Sequence, residues 1–325
     1  MASLDAEVRT GRRIQTVRGA IRAEDLGPTL VHEHVMCDFI GAERTSKHRY
    51  DGREVIRVMR PYLEAVRALG VTGFVDCTPM FIGRDSEVLA SLSEAVGIHI
   101  LTNTGLYKEP FLPPYAFESS PDDLTARWIR EFEGGIEGTG IRPGFIKIAV
   151  NPGHLIPVQQ RIVRAACRTS RATGMVIACH TGHGIAAREA TDIVVEEGVP
   201  PENFIFVHAD SEPDPEQHVA AARRRIYVEY DGIRPDDQGR SLKRVRDMLD
   251  LGFADRLLLS QDAGWYNVGE PRGGEPAGKI RGYTYLGERF LPLLRESGVS
   301  EDTIRQLIVE NPARAFALDE VGRVS

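Results

Sequence analysis

Apolar residues in this chain gather into short β-rich runs separated by longer amphipathic or charged stretches. The runs fall at residues 29–34, 73–78, 99–106, 144–150, 175–180, 204–208, 226–230 and 257–262, and each reads as a strand. The stretches between them fall at 52–69, 86–96, 121–133, 157–172, 185–197, 215–224 and 241–251, and read as helices. Strand and helix in strict alternation imply a parallel sheet, because a helix carries the chain back so that the next strand starts at the same edge. Eight such units predict closure into a barrel: the fold class is α/β, a single (β/α)8 TIM barrel. Residues 1–13 are read as an N-terminal tail and 14–325 as the barrel domain, with a small hairpin at 14–21 capping its lower end.

Composition narrows the partners. A chain of 325 residues with 42% apolar and 27% charged residues can bury a large core, and barrels of this size commonly form one domain. The net charge of −7 argues against nucleic acid, since the densest basic run is only Arg223, Arg224 and Arg225. No stretch reaches the length of an apolar membrane span and no signal-peptide core is present. Cys37, Cys77, Cys167 and Cys179 are scattered without a CxxC pair, as suits reduced thiols, so a cytoplasmic enzyme is expected.

The chemistry gathers where strands end. In Val31-His32-Glu33-His34 the two histidines are two apart, so they share a strand face and converge as a metal pair would. An HxH alone is equally compatible with packing. It is joined by His180, His208 and Asp262, each at the end of another predicted strand, and in this fold active sites lie at that carboxyl face. Lys147 is the sixth candidate. Alternation that turns Ile146 and Ile148 towards the helices turns Lys147 inward, where a desolvated amine is a nucleophile that can capture carbon dioxide as a bridging carbamate. An ordinary ion pair with Asp262 is the other reading of that lysine.

These motifs, together with Val75-Asp76-Cys77-Thr78, Gly83-Arg84-Asp85, Thr104-Gly105-Leu106-Tyr107, Gly144-Phe145-Ile146-Lys147, His208-Ala209-Asp210, Leu259-Ser260-Gln261-Asp262, Phe290-Leu291-Pro292 and Asn311-Pro312-Ala313-Arg314, resemble the phosphotriesterase family of the amidohydrolase superfamily, in particular its phosphotriesterase-like lactonases. The resemblance implies two divalent metal ions, zinc first with cobalt, manganese or iron as alternatives. His32, His34 and Asp262 would hold the more buried ion and His180 and His208 the more exposed one, with carbamylated Lys147 and a hydroxide between them. It implies catalytic roles for Asp262 as proton carrier and for Tyr107 beside the bridging solvent, although Tyr107 also reads as a packing residue of the rim. The expected activity is hydrolysis of N-acyl homoserine lactones (quorum quenching) and related γ- and δ-lactones, with phosphotriesters as side substrates. A phosphotriesterase or aryl ester hydrolase is the alternative.

Tyr230, Trp265 and Tyr266 are expected to line the substrate pocket, with Phe111, Leu112, Tyr115 and Phe117 as further aromatic or apolar candidates at the rim. The same rim residues would equally serve a homodimer contact. The segment from Gly264 to about Gly282, rich in glycine, is expected to act as a lid. Two departures from the lactonase pattern stand at Gln261 and at Tyr230-Asp231-Gly232, and they bear on substrate preference rather than on metal binding.

Overall fold

The structure is a computed structural model that describes residues 11–318. Eight parallel strands surround one axis: Thr29–Glu33, Gly73–Asp76, a third strand in two pieces (His99–Leu101 and Asn103–Thr104), Phe145–Ala149, Ile177–His180, Phe204–Val207, Tyr227–Tyr230 and Leu257–Leu259. Neighbours pair in chain order. The last strand returns to the first, where the Asp262 amide donates to the His32 carbonyl at 3.1 Å and Glu33 bridges Ala263 in parallel. Closure of the eight strands removes the open edges that a flat parallel sheet would have.

The helices begin and end where side chains satisfy their free backbone groups. Asp85 caps the helix Ser86–Val96 by accepting from the Glu87 and Val88 amides, and Ser120 with Asp123 forms a capping box on Pro121–Gly134. Two apolar layers result. Ile146, Ile148, Ile177, Phe206 and Val228 face the helices, whereas Val31, Val75, Phe145, Ala178, Ile205 and Leu258 fill the barrel.

The hairpin at the lower end consists of Arg13–Thr16 and Gly19–Arg22, paired antiparallel. Its Ile14 is buried in the inner cluster with Phe145 and Phe316, so it plugs the end where the strands begin. The first of these strands starts at Arg13, one residue inside the segment read as tail. The rest of that tail up to residue 10, and residues 319–325, lie outside the described part of the chain. No described helix is long and apolar enough to cross a membrane.

Candidate metal centre

Local backbone features aim the site's side chains. Pairing between the first two strands slips register between Leu30 and Glu33, a bulge that lets Val31 join the inner core while His32 still reaches the cavity above it. His208 and Asp262 both adopt left-handed backbone, at φ 58 and 47, where their strands give way to loops. Such conformations cost about 1–3 kcal/mol in a non-glycine residue and recur where function constrains the chain. Gly105 serves the same end by close approach. At φ +122 it has no Cβ, and one placed there would lie 2.0 Å from the Lys147 carbonyl oxygen, so only glycine lets the third strand press against the fourth at that lysine.

Six predicted ligands meet at one cavity, whose lining includes His32, His34, Lys147, His180, His208 and Asp262. His34 Nε2 stands 3.1 Å and His32 Nε2 3.7 Å from Asp262 Oδ1. Lys147 is 1% exposed, and its Nζ lies 3.4 Å from His32 Nε2. Among the described residues it forms no ion pair with Asp262, whose ion-pair contacts are to the two histidines. His180 Nδ1 and His208 Nε2 face each other at 2.7 Å.

The far nitrogen of each ring is engaged: His32 Nδ1 with Glu229 Oε1 at 2.6 Å, His34 Nδ1 with Thr78 Oγ1 at 2.7 Å, His208 Nδ1 with Asp231 Oδ1 at 2.7 Å, and His180 Nε2 with Lys108 Nζ at 2.6 Å. His32, His34 and His208 are thus anchored through Nδ1 with Nε2 turned into the cavity, the arrangement that metal-binding histidines adopt, whereas His180 is met on Nε2 by the Lys108 ammonium. The donor set therefore fits divalent ions, and both His32, His34 and Asp262, and His32, His208 and Asp231, gather candidate ligand atoms within 4.8 Å of one another.

Charge follows the same plan. Burial, reinforced by the Lys147 charge, lowers His32 to about 3, so its ring is neutral and able to ligate. Burial likewise holds His180 well below the ordinary imidazole value, with His208 and Lys108 adding to the effect. For Asp262 burial works in the opposite sense. It is outweighed by the His34 hydrogen bond and by the charges of His32, His34 and His208, which keep the carboxylate ionised far below its usual range. His208 is raised because, against burial, Asp231 stabilises its charged ring.

The pocket candidates divide. Trp265 lines the cavity, its ring edge-on to His34 at 5.5 Å, and Tyr107 lines it with its hydroxyl 3.4 Å from His180 Nδ1. Tyr230 does not reach it. Strand alternation turns Tyr227, Glu229 and Asp231 inward, so Tyr230 faces the helices and bonds His218 Nδ1 at 2.8 Å. Tyr266 also points away, its hydroxyl on Glu54 Oε1 at 2.7 Å.

The segment after strand eight is pinned rather than free, because Tyr266–Asn267 pairs with Met36–Cys37. Gln261 is buried in bonds to Glu33, the Tyr283 carbonyl and the Leu286 amide, which makes it a strut and not a pocket residue.

Residues that motif reading passed over complete the site. Phe39, 48% exposed, links Phe111 and Trp265 in an aromatic row that continues from Phe111 to Tyr107. Glu229 and Asp231 were legible in principle, as two acidic residues spaced by two on an otherwise apolar strand.

Known proteins agree with this geometry. Over residues 12–316 the chain matches the sequence profile described as the Phosphotriesterase family. It is 31% identical to the phosphotriesterase homology protein of Mycobacterium tuberculosis, over 93% of this chain and 97% of that one. It is 26% identical to the aryldialkylphosphatase of Saccharolobus solfataricus, over 92% and 98%. A crystal structure of a mutant PTE-like lactonase from Deinococcus radiodurans superposes with a TM-score of 0.83 at 31% identity, covering 94% of this chain and all of that one. A closed eight-stranded barrel with imidazoles and carboxylates converging at its carboxyl mouth, matched from end to end by these proteins, places the chain in the Phosphotriesterase family as a metal-dependent hydrolase.

Proposed function

We propose that the protein opens lactone rings, N-acyl homoserine lactones and related γ- and δ-lactones, in a quorum-quenching role, and that phosphotriesters are side substrates. His32, His34 and Asp262 would hold one divalent ion and His180 with His208 a second. Zinc is the first choice, and cobalt, manganese and iron suit the same imidazole and carboxylate donors. Such ions, when bound, acidify water and polarise a carbonyl or phosphoryl oxygen.

Lys147 would bridge the two as a carbamate: its amine nitrogen bonds the carbon of carbon dioxide and releases one proton. Burial, with no ion pair to a carboxylate among the described residues, supports that reading. Asp262, ionised and half facing the cavity mouth, would take the proton of the attacking water and return it to the leaving alkoxide.

The observation that carries the lactone reading is the Tyr107 hydroxyl beside His180, a donor that can stabilise the charge developing on a ring ester's oxygen. The cavity, about 120 Å³, suits a compact ring. An adjoining groove of about 450 Å³ along Phe39, Pro110, Phe111 and Leu112 suits an apolar tail.

A phosphotriester or aryl ester hydrolase using the same residues is the second reading, favoured by the similarity to an aryldialkylphosphatase. The deciding experiment compares kcat/KM on one metal-loaded preparation for acyl homoserine lactones of several chain lengths, plain γ- and δ-lactones, an aryl ester and an aryl phosphotriester. The lactone reading expects a lactone to lead. A phosphotriester or aryl ester preferred over every lactone by about tenfold, some 1.4 kcal/mol, would replace it with the second.

A further inference from the structure

Glu229 is an acidic residue inside the barrel, between Tyr227 on strand seven and Asp231 just past that strand's end. It is 1% exposed, and its Oε1 lies 2.6 Å from His32 Nδ1. A carboxyl group so deep in the molecule is costly unless its oxygens are used. Asp231 also comes within 3.1 Å of His32 Nδ1, but both of its oxygens already serve His208, one at the ring Nδ1 (2.7 Å) and one at the backbone amide (3.1 Å). His32 Nδ1 thus faces two carboxyl groups, Glu229 at 2.6 Å and, at 3.1 Å, an Asp231 that also holds the histidine of the outer pair.

We propose that Glu229 is a positioning residue for the inner metal. With His32 Nε2 turned towards Lys147 and Asp262, the ring's proton sits on Nδ1, and Glu229 accepts it. That bond fixes the tautomer and the ring plane, so the Nε2 lone pair is already aimed before an ion arrives. Either protonation state of Glu229 retains an acceptor oxygen for this contact, so the assignment stands on position and not on charge. Among the described residues no other group lies nearer to His32 Nδ1, and Asp231, shared with His208, is the longer contact at 3.1 Å.

The inference rests on His32 being a metal ligand, and the test separates the two ideas. Cobalt affinity, cobalt stoichiometry and the visible spectrum of the cobalt-loaded protein are measured for the parent, Glu229→Gln and Glu229→Leu, with circular dichroism of the metal-free proteins as the fold control. A parent that binds no cobalt would remove the metal reading itself. With a parent that binds two ions, Glu229→Leu is expected to lose roughly 10–100-fold in affinity for one of them and to alter the spectrum. Glu229→Gln, which keeps an acceptor, should retain the parent spectrum and most of its affinity.

Parent-like affinity and spectrum in Glu229→Leu would overturn the proposal, as would equal loss in both variants, which would show that the buried charge matters and the acceptor does not. If Glu229→Leu does not fold, proton NMR of the zinc-loaded parent decides: a hydrogen-bonded imidazole N–H assigned to His32 Nδ1 and shifted in Glu229→Gln supports the proposal, and an unshifted or absent resonance refutes it.

Discussion

His180 Nδ1 and His208 Nε2 stand 2.7 Å apart, their rings nearly perpendicular at 82°, at the mouth of the barrel. Their outer nitrogens are tied to Lys108 and to Asp231, so the approach is imposed from behind each ring. At that distance one ring nitrogen donates to the other, and an ion bound there would take both nitrogens in place of the shared proton. Asp231 keeps His208 readily protonated, so a proton and a metal ion compete for the same position.

That competition sets a pH dependence. His208 is raised above 6.5 in the metal-free protein, so its ring stays charged through pH 6.5 and becomes neutral only above the raised value. Metal affinity should therefore fall as pH drops through the raised value of His208, and level off above it. For metal-free stability the sign is reversed: the His208 contribution is present below pH 6.5 and fades as pH rises through the raised value. Asp262 is depressed, so its contribution is present above pH 3.8 and lost on further acidification. Metal content followed across pH should drop while circular dichroism still reports a folded protein, whereas simultaneous loss of both would contradict this order. Chelation at neutral pH should abolish hydrolysis and lower the melting temperature, and zinc or cobalt should restore both.

Replacing Lys147 with alanine should remove metal and activity together. The substitution also opens space beside His32, so bicarbonate with a short amine, or a small carboxylate, should rescue part of each. A Lys147→Ala protein that keeps two ions per chain and the parent rate would exclude the carbamate.

Asp262→Asn is a clean probe of proton transfer. Asparagine tolerates left-handed backbone as aspartate does, so the φ of 47 is kept without added strain. A fall in kcat of roughly two to four orders of magnitude is expected with the fold intact. A rate within about threefold of the parent, near 0.7 kcal/mol, would contradict the role.

Tyr230→Phe should weaken the fold but spare the chemistry. Its hydroxyl satisfies the buried His218, and removing that partner costs about 1–3 kcal/mol. kcat/KM in the remaining folded protein should change by less than about twofold, roughly 0.4 kcal/mol. A large shift in substrate preference would return Tyr230 to the pocket.

The alternation of strand and helix, the eight repeats and the six candidate positions that line the cavity were all written in the chain, because each depends on local periodicity: a strand end is recognisable wherever an apolar run stops, and His32, His34, His180, His208 and Asp262 all lie at or near such ends. The inward turn of Lys147 needed only the two-residue period of its own strand. What period alone could not supply was which neighbours those faces meet. The same period that turns Lys147 inward turns Tyr230 outward, yet Tyr230 beside a strand end looked like a pocket residue until the helix carrying His218 was packed against it. Tyr266 was lost to Glu54, more than 200 residues away in sequence, and Glu229 gained its meaning from His32, 197 residues away. Contacts between residues so far apart are chosen when the barrel closes, since only closure brings strand seven and strand one to the same side of the axis.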